Sequence, residues 1–88
     1  MKIAFEAVAF ADFVAWAEHD RKIQKRIVAL ISDILRNPYQ GIGKPEALKH
    51  ELQGYWSRRI TGEHRLVYRV DSDTVTVIAC RYHYGQAR

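Results

Sequence analysis

Ile23, Ile27, Leu30, Ile31 and Ile34 recur at i, i+4, i+7, i+8 and i+11, the apolar stripe of an amphipathic helix. The polar face of that helix carries Arg21, Lys22, Lys25 and Arg26. Asp20 stands where an N-cap belongs, and Asn37-Pro38 ends the run, since proline cannot continue a helix and biases its predecessor toward extended geometry. Between Ala7 and about Glu18 the apolar residues come too densely for strand alternation, and the alanines among them favour helix. Phe10, Phe13, Val14 and Ala17 fall on one stripe there. Two helices in an antiparallel hairpin follow, preceded by a short β-forming segment, Lys2 to Phe5, that reads as a strand.

Beyond Pro38 the pattern changes twice. Residues 39–54 are polar and turn-rich, with Gly41, Gly43, Pro45 and Gly54, yet Leu48 and Leu52 are spaced to pin a short helical turn to the core. From Tyr55 the period becomes two, and Tyr55–Thr61, His64–Val70 and Thr74–Tyr82 read as three strands. Gly62-Glu63 and Asp71-Ser72-Asp73 fit the tight loops between them. The order β-α-α-β-β-β predicts an α+β fold, a twisted antiparallel sheet with the helical hairpin packed on one face. On the middle strand Leu66, Tyr68 and Val70 share the face under the helices, while Arg65, Val67 and Arg69 share the other. If Ile60 also faces the core, Arg59 joins Arg65 on the open face.

Composition narrows the class. The chain has 88 residues, room for one domain spanning 1–88, and 48% of them are hydrophobic against 27% charged, which excludes a disordered tail. No apolar run approaches the ~18 residues of a membrane span. Glu6 and Asp12 interrupt the apolar stretch near the start, which also argues against a secretory signal. Cys80 is the only cysteine, so no intrachain disulfide and no cysteine-based zinc site can form, and a reducing cytoplasm is the expected compartment. Fourteen Lys and Arg against ten Asp and Glu give a net charge of +4, with the surplus mostly beyond Gln40. A basic half of a small domain suits a polyanionic partner, usually nucleic acid, although a solvated basic surface would look the same.

Candidate chemistry collects on the open face and the segment leading to it: Glu46, Lys49, His50, Arg59, Arg65, His83 and Tyr84. Glutamate and histidine suit proton transfer near neutral pH, and arginine suits bidentate contact with phosphate. Together they would suit cleavage of RNA by its own 2′-hydroxyl, with no metal or cofactor. Each residue also has a plainer reading. Glu46 after Pro45 fits the first turn of a helix, Arg59 and Arg65 fit a solvated sheet face, and His83 and Tyr84 lie where chain ends fray. His19 and His64 read as structural or solvent-exposed, Cys80 as a small core residue, and Trp16 and Trp56 as core rather than stacking platforms. From pattern alone, the result is a basic α+β domain suited to nucleic acid.

Residues 43–52, Gly-Lys-Pro-Glu-Ala-Leu-Lys-His-Glu-Leu, then Tyr55-Trp56-Ser57-Arg58-Arg59-Ile60, Glu63-His64-Arg65-Leu66-Val67-Tyr68 and Ala79-Cys80-Arg81-Tyr82-His83-Tyr84, resemble the YoeB (Txe) toxins of the RelE/ParE superfamily. The resemblance covers nearly the whole chain and implies the RelE-like microbial RNase fold. It implies a bacterial toxin that cleaves messenger RNA at the ribosomal A site and is neutralised by a YefM/Phd-type antitoxin. It further implies Glu46 as general base, His83 as general acid, and Arg65 on the scissile phosphate. Lys49, Arg59 and His50 would then contact RNA or phosphate, and Tyr84 would orient the nucleotide. Operator DNA would be bound through the antitoxin complex, and a toxin homodimer is compatible with the family. Family members commonly end at or just after the His-Tyr pair, whereas this chain continues with Gly85-Gln86-Ala87-Arg88. A ParE-like protein that binds DNA gyrase and cleaves nothing shares the fold but typically lacks the Glu46, His83 and Tyr84 set. A basic binding module that has lost catalysis is the third alternative.

Overall fold

In the computed structural model, which describes residues 1–82, the two helices cover one face of a five-stranded sheet. Strand β1 (Lys2–Phe5) leads into α1 (Ala7–His19) and α2 (Arg21–Arg36). Asp20 separates the helices as expected of an N-cap, its side chain accepting from the backbone N–H of Lys22 at 3.1 Å and of Ile23 at 3.4 Å. The chain then forms β2 (Glu46–Ala47), a single 3-10 turn (His50–Leu52), β3 (Trp56–Arg59), β4 (Arg65–Asp71) and β5 (Thr74–Ala79). Strand order across the sheet is β1-β5-β4-β3-β2.

The sheet is mixed rather than wholly antiparallel: β1 runs parallel to β5, pairing Lys2 with Thr74 through Phe5 with Val77. Side-chain alternation has period two in either direction, so the sequence pattern carries no information about strand sense. The two-residue β2 is also additional to the expected strands. It makes Glu46 a strand residue opposite Ser57 rather than the first turn of a helix.

Ile27, Leu30 and Ile34 of α2 meet Leu66, Tyr68, Val75 and Val77 of the sheet in one buried cluster that also takes in Ala9, Ile60 and Cys80. Helix α1 is turned differently from the expected stripe. Ala9 is its buried residue, Phe13 and Trp16 pack beside it, and Phe10 and Val14 stand about half exposed, at 53% and 50%. Apolar residues surround this helix, so their spacing does not single out a buried face. Leu48 and Val67 are buried outside that cluster, so the segment after β2 is not pinned to the main core.

One polar network lies within the core. Arg58 is fully buried on β3 and its guanidinium donates to Tyr68 Oη, Asp33 Oδ2 and the carbonyl oxygens of Asn37, Gln40 and Ile42. All five of its N–H groups can thereby be matched, which is what a buried arginine requires. The network fastens the 37–42 loop to the sheet, and the Gly43 carbonyl continues it by accepting from Arg59 N–H at 2.7 Å. Gly43 has φ of +81°, and a Cβ there would approach Leu30 Cδ2 to 2.7 Å, so the close passage needs glycine. Hydrogen bonds from Arg36, Arg58 and the Ile42 N–H hold the Asp33 carboxyl well below its ordinary range, at about 2.

Candidate functional site

The face turned away from the helices is organised by strand register. Glu46 pairs with Ser57, Ser57 with Val67, and one pleat further along Arg59 pairs directly with Arg65. Residues i and i+2 of a strand share a face, so Glu46, Ser57 and Val67 form one row and Arg59 with Arg65 the adjoining row. Sequence alternation placed Arg59 beside Arg65, and the register bears that out. Ser57 and Val67 are buried, whereas Glu46 and Arg59 are exposed and Arg65 is half-buried.

Lys49 and His50 follow Glu46 into the turn past the Tyr55 end of β3, the end away from Arg59. Leu48 N–H donates to the Tyr55 carbonyl at 2.9 Å, and Leu52 and Gln53 N–H donate back to Lys49 and His50 carbonyls. This closes a small self-bonded loop, with His50 in the left-handed region at φ +60°. A groove of about 230 Å³ runs along Glu46, Ala47, Leu48, Lys49 and His50.

What distinguishes this face electrostatically is the direct cross-strand pairing of two arginines. Arg58 and Arg36 pair with Asp33, Arg69 with Asp71 and Glu6, and Arg81 with Asp12, whereas Arg21 and Arg26 of α2 have no carboxylate partner among the described residues. Among the described residues no carboxylate pairs with Lys49, Arg59 or Arg65. Two like charges directly opposite on neighbouring strands repel, and an anion on the face would relieve them. Arg65 is also oriented. Its Nη1 donates to the Thr61 carbonyl at 2.7 Å, with the His64 and Gly62 carbonyls at 3.2 and 3.4 Å.

His83 and Tyr84, expected as acid and nucleotide-orienting residue, lie outside the described residues. The chain leading to them is fastened residue by residue. Trp16 Nε1 donates to the Cys80 carbonyl at 3.0 Å, and Arg81 lies over the Tyr82 ring at 4.8 Å. Tyr82 N–H donates to His64 Nδ1 at 2.7 Å, and the Tyr82 carbonyl accepts from Arg65 N–H at 3.0 Å. His64 is therefore a buried structural histidine rather than a solvent-exposed one, packed edge-on against Trp16. Cys80 is a buried core residue, as expected.

Glu46, Arg59 and Arg65 thus share a face, and Lys49 and His50 adjoin Glu46 through one loop. Sequence reasoning missed Thr61, Arg58 and the histidine clasp on Tyr82. For Thr61 a signal existed, a threonine two and three residues ahead of the amides of a tight loop. Among the described residues no group of three or more His, Cys, Asp and Glu could hold a metal ion, and no helix is long and apolar enough to cross a membrane.

Comparison with known proteins gives a consistent picture. The model of the family described as "YoeB-like toxin of bacterial type II toxin-antitoxin system" matches residues 5–84. Toxin YoeB of Streptomyces coelicolor is 54% identical over 84 residues, covering 96% of this chain and all of the relative. Toxin YoeB of Escherichia coli K12 is 52% identical with the same coverage. Among solved structures, a YoeB/ParE toxin from Agrobacterium tumefaciens superposes with a TM-score of 0.93 at 44% identity, over 96% of this chain and 100% of its own. The toxin in a heterotetrameric YoeB–YefM complex from Staphylococcus aureus gives 0.88 at 47% identity, over 96% and 98%. YafQ from E. coli, at 15% identity and a TM-score of 0.74, shares the fold.

Proposed function

The chain belongs to the family of YoeB-like toxins of bacterial type II toxin–antitoxin systems, and from that membership and the open face we propose that it is a ribosome-dependent endoribonuclease. It cuts messenger RNA in the ribosomal A site and so arrests translation in the cytoplasm. A YefM/Phd-type antitoxin neutralises it, the complex binds operator DNA through the antitoxin, and the toxin can pair with a second copy. YoeB–YefM complexes and a YoeB dimer from S. aureus support the antitoxin and the pairing.

The chemistry needs two proton transfers and one charge stabiliser. Glu46 takes the proton of the 2′-hydroxyl, whose oxygen attacks the adjacent phosphorus. The bond from phosphorus to the 5′-oxygen breaks, and His83 delivers a proton to that oxygen. The products are a 2′,3′-cyclic phosphate and a 5′-hydroxyl, with no metal or cofactor in the step. Arg65 stabilises the charge that gathers on the phosphorane, a stabilisation worth most when the donors are already aimed. Lys49, Arg59 and His50 hold the RNA backbone, and Tyr84 orients the nucleotide.

The observation that carries this reading is the directly opposed Arg59–Arg65 pair, neither with a carboxylate partner among the described residues, on the sheet face that also carries Glu46. Induced expression in bacteria tests it against gyrase inhibition. Arrested protein synthesis with messages cut inside codons supports the nuclease. Relaxed plasmid DNA with intact messages overturns it.

A further inference from the structure

The guanidinium of Arg65 is held at one end only. Its Nη1 donates to carbonyl oxygens of Thr61, Gly62 and His64, all in the loop joining β3 to β4, while Nε and Nη2 have no protein partner among the described residues. That loop has a fixed shape because Thr61 Oγ1 accepts from the N–H groups of both Glu63 and His64 at 3.1 Å. The His64 carbonyl closes it from the other side by accepting from Ile60 and Thr61 N–H at 3.0 and 3.2 Å. A side-chain oxygen accepting from the amides two and three residues on is a turn that the backbone alone would not hold so firmly. The carbonyls that grip Nη1 are those of this same turn.

We propose that Thr61 is a positioning residue for Arg65: its hydroxyl sets the loop whose carbonyl oxygens lock one arm of the guanidinium and present the N–H groups of Nε and Nη2 to phosphate. The inference rests on the nuclease function proposed above for this face. A flexible arginine loses side-chain freedom when it engages an anion. An arginine already gripped at Nη1 loses less, so its contribution appears in the rate of the chemical step more than in binding.

The test uses Thr61→Val, which keeps the shape and removes the acceptor, and Thr61→Ser, which keeps the acceptor. Cleavage is followed in single turnover on ribosomes programmed with a defined message, with thermal unfolding measured alongside. Thr61→Val is expected to slow cleavage roughly 10-fold or more, with the half-saturating ribosome concentration within about 3-fold, and Thr61→Ser is expected to recover most of the rate. Placed in an Arg65→Ala background, Thr61→Val should cause no further loss, because the two act through one group. An unchanged rate in Thr61→Val, equal loss in both threonine variants, or losses that multiply with Arg65→Ala would each overturn the proposal. Nitrogen-15 spectra of Arg65 give a readout independent of cleavage. Separate Nη1 and Nη2 signals are expected in the unaltered protein and one averaged signal in Thr61→Val. An averaged signal in the unaltered protein overturns the positioning role. Separate signals in an unaltered protein that cuts nothing overturn the nuclease function and leave the grip on the guanidinium standing.

Discussion

Arg59 of β3 and Arg65 of β4 stand directly opposite one another, and among the described residues neither meets a carboxylate. A folded protein gains nothing in stability from such a pair, so its presence marks a place where an anion is expected. Replacing Arg65 with alanine should lower single-turnover cleavage about 100-fold or more, the scale seen when one donor to a developing oxyanion is lost. Arg59→Ala should cost less in rate and weaken RNA binding instead. Arg59→Ala should leave the urea midpoint unchanged, whereas Arg65→Ala also gives up the bonds from Nη1 to the β3–β4 loop and should lower it modestly.

The buried Arg58 network makes the opposite forecast. Arg58→Met leaves the Tyr68 hydroxyl and three carbonyl oxygens without the donor they share, and leaves Asp33 with only Arg36 and the Ile42 N–H. Breaking a buried charge pair from one side costs about 3–5 kcal/mol, so the variant should unfold at a much lower urea concentration or fail to accumulate.

Acid stability should show the partner of that arginine. Asp33 titrates at about 2 in the folded chain against an ordinary 3.8. As pH falls from 3.8 toward 2, the unfolded chain takes up this proton before the folded one does, so stability falls across that window. Above it the contribution is fully present. Asp33→Asn should start less stable at neutral pH and lose less between those values, which urea unfolding at a series of pH values reads directly.

Helix α1 offers a test of where the core begins. Val14 is half exposed, so Val14→Gln should shift stability by no more than about 0.5 kcal/mol. Ala9 is fully buried against the sheet, and Ala9→Leu should cost about 1–3 kcal/mol by overpacking. The stripe read from sequence alone would have ranked Val14 as the sensitive position.

That reversal shows what kind of information the sequence carries. Helix α2 was legible because its isoleucines and leucines leave a polar face opposite, and the buried residues Ile27, Leu30 and Ile34 are those its period marks. Helix α1 has no such contrast, and its orientation is decided by packing against the sheet. The Arg59–Arg65 pairing was legible from alternation plus one assumption about Ile60, which is buried as assumed. Strand sense was not, since β1 would show the same side-chain alternation running either way. Glu46 was legible as chemistry but not as strand, because two residues are too few for a period. The clasp of His64 on Tyr82 joins residues 18 apart, and no local pattern encodes it.

In the mechanism proposed above, Glu46 starts an attack by the RNA's own 2′-hydroxyl. The direct measurement places a defined message on purified ribosomes, adds the protein or its Glu46→Gln variant, and analyses both new ends of the message. A cut within the A-site codon, bearing a 2′,3′-cyclic phosphate and a 5′-hydroxyl and slowed at least about 100-fold by Glu46→Gln while ribosome binding persists, is the predicted result. A cut made equally fast by Glu46→Gln, one that leaves a 5′-phosphate, or intact message with the unaltered protein bound would contradict it.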